Sequence, residues 1–94
     1  MSYNTYRLGS REFQAVNVTK LQGGVVSPVT TFQVVVVPKG LDLNLGTPTT
    51  PATLDGEVGF YTDSITLPGF YEVGALIASD PEEPLISCGF IRIK

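Results

Sequence analysis

The chain reads as all-β. Three observations carry that expectation: no stretch keeps the apolar spacing of an amphipathic helix, β-branched and aromatic residues gather in short runs, and Gly or Pro punctuates most of the gaps between those runs. At 94 residues the chain suits one domain with its own core, spanning 1–94, and is too short for two.

Residues 11–19, REFQAVNVT, read as the first firm strand, with Phe13 and Ala15 on the opposite parity from Val16 and Val18. A bulge or burial on both faces would produce that switch. LQGGVVSP then turns the chain, and residues 30–37, TTFQVVVV, read as a central strand. Val34 and Val36 point one way and Val35 and Val37 the other, so both faces are expected to be covered. Pro38, Lys39 and Gly40 end it. In residues 41–45, Leu41, Leu43 and Leu45 alternate with Asp42 and Asn44, which predicts a half-exposed strand near an edge.

Pro48 and Pro51 lack backbone donors, so GTPTTPA is a loop or an edge crossing. Asp55 and Gly56 signal a turn, after which VGFYTDSIT, residues 58–66, resumes an extended course. Pro68 and Gly69 turn the chain again. Tyr71, Val73, Ala75 and Ile77 then share one face, against Glu72, Gly74, Leu76 and Ala78 on the other. Residues 79–84 form the next turn and LISCGFIRIK the closing strand, with Cys88 as a small apolar side chain inside it.

Seven short extended segments separated by turns predict an Ig-like antiparallel β-sandwich with Greek-key connections, and a small β-barrel is the architectural alternative. The core is expected on Val34, Val36, Tyr71, Val73, Ala75 and Ile77. With one cysteine and no tryptophan, an antibody-type domain is excluded. Tyr71, just after a turn and entering a long penultimate strand, sits where a tyrosine corner would place a hydroxyl that bonds back to upstream backbone. The other reading is a ring filling the core edge with its hydroxyl in water.

The residue inventory argues against an enzyme. There is no histidine to act as base or metal ligand, and Cys88 alone builds neither a disulfide nor a zinc cage. The serines Ser10, Ser27, Ser64, Ser79 and Ser87 lack the G-x-S-x-G setting of a nucleophile elbow. Asp55 with Glu57, and Asp80 with Glu82 and Glu83, are carboxylates at turns whose spacing does not match a calcium loop, so they read as solvated caps. Asn17-Val18-Thr19 matches a glycosylation acceptor but has no secretory leader ahead of it, and reads as chance. No cofactor is expected. Six basic against nine acidic residues, net −3, argue against nucleic acid, and the apolar run Val34–Val37 is far short of the ~20 residues of a membrane helix. Only 16% of the residues are charged, which leaves weakly polar surface suited to packing against protein.

Two stretches carry a resemblance. AxxDGEVG, Ala52 to Gly59, followed by LPGFYEVGALIASDPEEPLISCGFIRI, Leu67 to Ile93, resembles small Ig-like virion proteins of tailed actinobacterial phages, in which a turn, a G-x-Y-x-V strand, a D-x-P-E-x-P turn and a closing strand recur. Here Phe70 stands between Gly69 and Tyr71, one residue off that spacing, and the likeness covers about half the chain. The resemblance implies a structural component of the particle, a capsid decoration or minor head protein, made in the bacterial host cytoplasm and located in the virion. Its expected partners are the major capsid protein or other virion proteins, and a homo-oligomer fits the same role.

Within residues 1–10 and just beyond, Tyr3, Tyr6, Arg7, Leu8 and Arg11 precede the first firm strand. They are candidates for partner contact if this segment is an arm lying across a neighbour. The alternative is a first strand tucked on the domain's own sheet. The competing function is an Ig-like adhesion or binding module of a bacterial surface protein.

Overall fold

Side chains that alternate inward along residues 69–76 and 85–93 make these the two longest strands, and their hairpin organises the rest. The computed structural model describes residues 3–80 and 84–94. The strands are β1 (Asn4–Tyr6), β2 (Phe13–Ala15), β3 (Thr19–Gln22), β4 (Val25–Pro28), β5 (Gln33–Pro38), β6 (Ala52–Leu54), β7 (Glu57–Tyr61), β8 (Gly69–Leu76) and β9 (Leu85–Ile93). Two 3-10 turns, Leu43–Leu45 and Thr62–Ser64, complete the described residues, among which there is no α-helix and so none long and apolar enough to cross a membrane.

Three sheets result. The first has strand order β1-β9-β8-β5, the second β2-β7-β6, and β3 with β4 forms a separate two-stranded ribbon. All pairs are antiparallel except β1 with β9, which run parallel, so the first sheet is mixed where a wholly antiparallel one was expected. Neither larger sheet closes on itself, and the barrel alternative is discarded.

One core joins the first two sheets. Val34, Val73, Ala75, Ile91 and Ile93 project from the first sheet and meet Phe60 of β7, with Val16, Val18, Phe32 and Ile77 closing the ends. Tyr71 and Val36 pack against this cluster, partly buried. The residues expected in the core therefore all lie in it or against it. The other face of β5 is covered too: Val35 and Val37 are buried.

What covers that face corrects the sequence reading. Residues 41–45 were expected as a strand, but Asp42 Oδ1 accepts a hydrogen bond from the Asn44 N–H at 2.9 Å, and Leu43–Leu45 curls into a 3-10 turn. Short polar side chains compete with a sheet ladder for nearby backbone donors, and here the local bond wins. Leu43 then lies over Gly74, where an added Cβ would sit 3.0 Å from a Leu43 methyl. The glycine gives the turn room to dock.

Three further strands differ from expectation by being shorter or shifted, the 30–37 strand beginning only at Gln33 and running on through Pro38. The 11–19 strand is reduced to Phe13–Ala15; Val16 keeps one more bond to β7, from its N–H to the Val58 carbonyl, and the side chains of Val16 and Val18 both enter the core. Residues 58–66 remain extended only to Tyr61, where Thr62–Ser64 turns; Thr62 is buried, accepting from the Glu12 N–H and donating to the Ser10 carbonyl. The Asp55-Gly56 turn forms as anticipated, with both φ angles positive, 51° and 82°, in the hairpin between β6 and β7.

In the β8–β9 hairpin the register jumps between Val73, opposite Gly89, and Gly74, opposite Ser87. Cys88 is thus the extra residue of a β-bulge. It is half-buried, and burial pushes its thiol above the usual range.

Tyr71 adopts the corner reading: its hydroxyl donates to the Leu67 carbonyl, four residues upstream, at 2.7 Å. The bond ties the loop after the Thr62–Ser64 turn to the start of β8. Because it lies near solvent, Tyr71→Phe is expected to cost only about 1 kcal/mol by chemical denaturation, with the far-UV spectrum unchanged.

Candidate interaction surface

The first candidates are the residues ahead of β2. Asn4–Tyr6 forms β1 on the domain's own sheet, and the Lys94 N–H donates to the Tyr6 carbonyl while the Leu8 N–H donates to the Lys94 carbonyl. The segment is thus a first strand, the second of the two readings. Tyr6 packs against the core, and its hydroxyl donates to Gln14 Oε1; burial raises its pKa. The Arg7 carbonyl accepts from both the Ser10 N–H and the Ser10 hydroxyl in a tight turn. Arg11 stacks its guanidinium 3.7 Å from the Tyr61 ring centroid and pairs with Asp63 at 3.2 Å. Tyr3 and Leu8 remain largely exposed.

These five residues do not form one patch. Arg11 belongs to the edge of the second sheet with Tyr61 and Phe13, whose rings meet edge to face at 5.4 Å. Tyr3 joins the outer face of the first sheet, 5.3 Å from Phe70.

A cluster of exposed apolar side chains lies where the sequence had only a turn. LQGGVVSP is a β-hairpin: β3 and β4 pair from Thr19–Pro28 around Gly23-Gly24, and both glycines take positive φ. Leu21, Val25 and Val26 are 67%, 62% and 65% exposed. Leu21 and Val26 are cross-strand partners on one face, while Val25 lies on the other, so the ribbon is apolar on both sides. An isolated two-stranded ribbon is marginal in water. This one is anchored at its base, where Lys20 pairs with Asp80 at 2.9 Å and the Val29 N–H donates to the Val18 carbonyl.

Leu21, Val25 and Val26 flanking a Gly-Gly pair are the available signal for this element. Apolar residues on each side of two glycines are a hairpin pattern as much as a turn pattern.

Among the described residues the carboxylates of Asp42, Asp63, Glu72 and Asp80 are engaged separately. Among the described residues no group of three or more histidine, cysteine, aspartate or glutamate side chains could hold a metal ion. Asp80 is engaged by Lys20, and Glu82 and Glu83 lie outside the described residues. In the hollow beside β8, Asp42 is bonded to Asn44, and Glu72 accepts from the Ser87 hydroxyl at 2.7 Å.

No family model matches this chain, and no curated protein and no solved structure matches it either.

Proposed function

We propose that this chain is an Ig-like structural domain of a phage particle, which acts by binding the major capsid protein or another virion protein and performs no catalysis. The observation that carries the reading is the hairpin Thr19–Pro28, an uncovered apolar ribbon held out from a well-packed frame. Exposed apolar side chains on a rigid support are what a docking element requires.

Strand order supports the Ig-like part. With the β3–β4 ribbon set aside, seven strands are left, and β5, β8 and β9 lie side by side as the third, sixth and seventh of them. The second, fifth and fourth, β2, β7 and β6, make the facing sheet. On an Ig-like reading these strands stand for C, F and G and for B, E and D, with β1 parallel to β9 in place of an A strand beside B, and the Tyr71 hydroxyl bond at the start of the sixth strand has the form a tyrosine corner takes. The resemblance of Ala52–Gly59 and Leu67–Ile93 to virion proteins supplies the particle.

The test is co-sedimentation with empty capsids of the parent phage, together with mass spectrometry of purified virions. The wild-type chain is expected in virions and in the capsid pellet. The double variant L21K/V26E, which removes the apolar pair but places opposite charges across the strands, is expected to keep its melting temperature, since both positions are exposed, and to lose capsid binding. Absence from virions, or undiminished pelleting of the variant, contradicts the proposal.

A further inference from the structure

A second surface stands on the outer face of the first sheet, at the opposite end of β8 and β9 from Asp80. Register builds it. Phe70 pairs with Arg92 and Arg92 with Thr5, while the Lys39 N–H donates to the Phe70 carbonyl at 2.9 Å, so Lys39, Phe70, Arg92 and Thr5 form one cross-strand row. Glu72 and Phe90 are paired in the next row. Outward parity follows because the intervening residues Tyr71, Ile91 and Ile93 face the core.

The row concentrates cations on rings. Lys39 Nζ lies 5.7 Å from the Phe70 centroid and 5.5 Å from that of Phe90, and Arg92 Cζ lies 5.4 Å from Phe70. Tyr3 closes the far side of Phe70, edge to face. Tyr3 and Phe70 are 43% and 39% exposed, so the platform is open to solvent. The ion pairs among the described residues are Arg11 with Asp63 and Lys20 with Asp80, neither of which includes Lys39 or Arg92. The carboxylate on the same face, Glu72, is turned to the Ser87 hydroxyl.

Two like charges beside one ring repel each other, and an anion between them relieves that repulsion, while the exposed part of Phe70 remains available to an apolar group. In a chain of net charge −3 this is a local inversion of sign, which selects for an acidic partner. We infer that this face docks an extended acidic segment of a partner protein, with a carboxylate between Lys39 and Arg92 and a neighbouring apolar side chain on Phe70 and Phe90. Arg92 supplies a planar pair of donors to the carboxylate, and Lys39 a point charge. The inference stands independently of the particle and of the hairpin.

The experiment titrates the 15N-labelled full chain with a peptide of alternating glutamate and leucine, a lysine–leucine counterpart, and single-stranded oligo-dT. Amide shifts are expected at Phe70, Phe90 and Arg92 with the acidic peptide alone, and its affinity is expected to weaken as salt rises. K39Q/R92Q is expected to lower that affinity by about tenfold while leaving the melting temperature unchanged. L21K/V26E, which leaves the net charge unchanged, is expected to bind the peptide as the wild type does, which separates this face from the hairpin. Shifts confined to other residues, equal binding of the basic peptide, tighter binding of oligo-dT, or unchanged affinity in K39Q/R92Q would overturn the inference.

Discussion

Gly59→Ala is expected to be the most damaging single-methyl change in the domain, lowering stability by at least ~3 kcal/mol, which for a chain of this length moves the melting temperature by roughly 15 °C or more. Gly59 lies in β7, the middle strand of the second sheet, opposite Ala15 on one side and Ala52 on the other. A Cβ there would overlap the Gln14 carbonyl oxygen and press on the Gln14 carbonyl carbon and Ala15 Cα, all of them backbone. Backbone held in a ladder cannot swing aside as a flexible side chain would. Relief requires β2 to separate from β7, and with it Val16, whose N–H donates to the Val58 carbonyl, leaves its place in the core. Thermal melts followed by circular dichroism check this; a variant melting within ~2 °C of the wild type would mean that β2 does not pair with β7 in this register.

Ile91→Ala is the second large effect. Ile91 is 2% exposed and sits in β9 between Asn4 of β1 and Tyr71 of β8, with its side chain in the shared core. Truncating a side chain so enclosed removes transfer free energy and leaves a cavity that neighbouring strands cannot collapse into, a loss of about 3–4 kcal/mol. Val26→Thr, on the exposed hairpin, provides the contrast and is expected to stay within about 0.5 kcal/mol of the wild type. Urea titrations of both variants measure the difference. Equal midpoints would place Ile91 outside the core.

Much of the frame is legible in residue order. The alternation of Tyr71, Val73, Ala75 and Ile77 predicts the inward face of β8, and the doubled valines of residues 34–37 predict a strand covered on both sides, as found. Turn chemistry at Asp55-Gly56 is equally local and equally readable. Where alternation misleads is residues 41–45, because an Asp and an Asn in the polar positions can bond within their own segment, and period alone does not weigh that competition.

The surfaces were harder to read, for a different reason. Lys39, Phe70, Phe90 and Arg92 are far apart in the chain, and only the pairing of β8 with β9 and the approach of Lys39 to Phe70 put them in adjacent rows. Nothing local marks them as neighbours. Tyr3 was singled out as an arm residue and joins that face through Phe70, while Arg11, grouped with it by sequence proximity, faces Tyr61 on the other sheet. The apolar hairpin is an intermediate case: Leu21, Val25 and Val26 are visible in the sequence, but their exposure follows from β3 and β4 pairing with each other alone.

A cryo-EM reconstruction of the phage particle proposed above is the decisive check on whether this domain works as a rigid β frame presenting a docking ribbon. Density for the domain is expected on the shell, with Leu21 and Val26 at the contact. Particles lacking that density, or a domain seated with the ribbon pointing into solvent, would contradict that role.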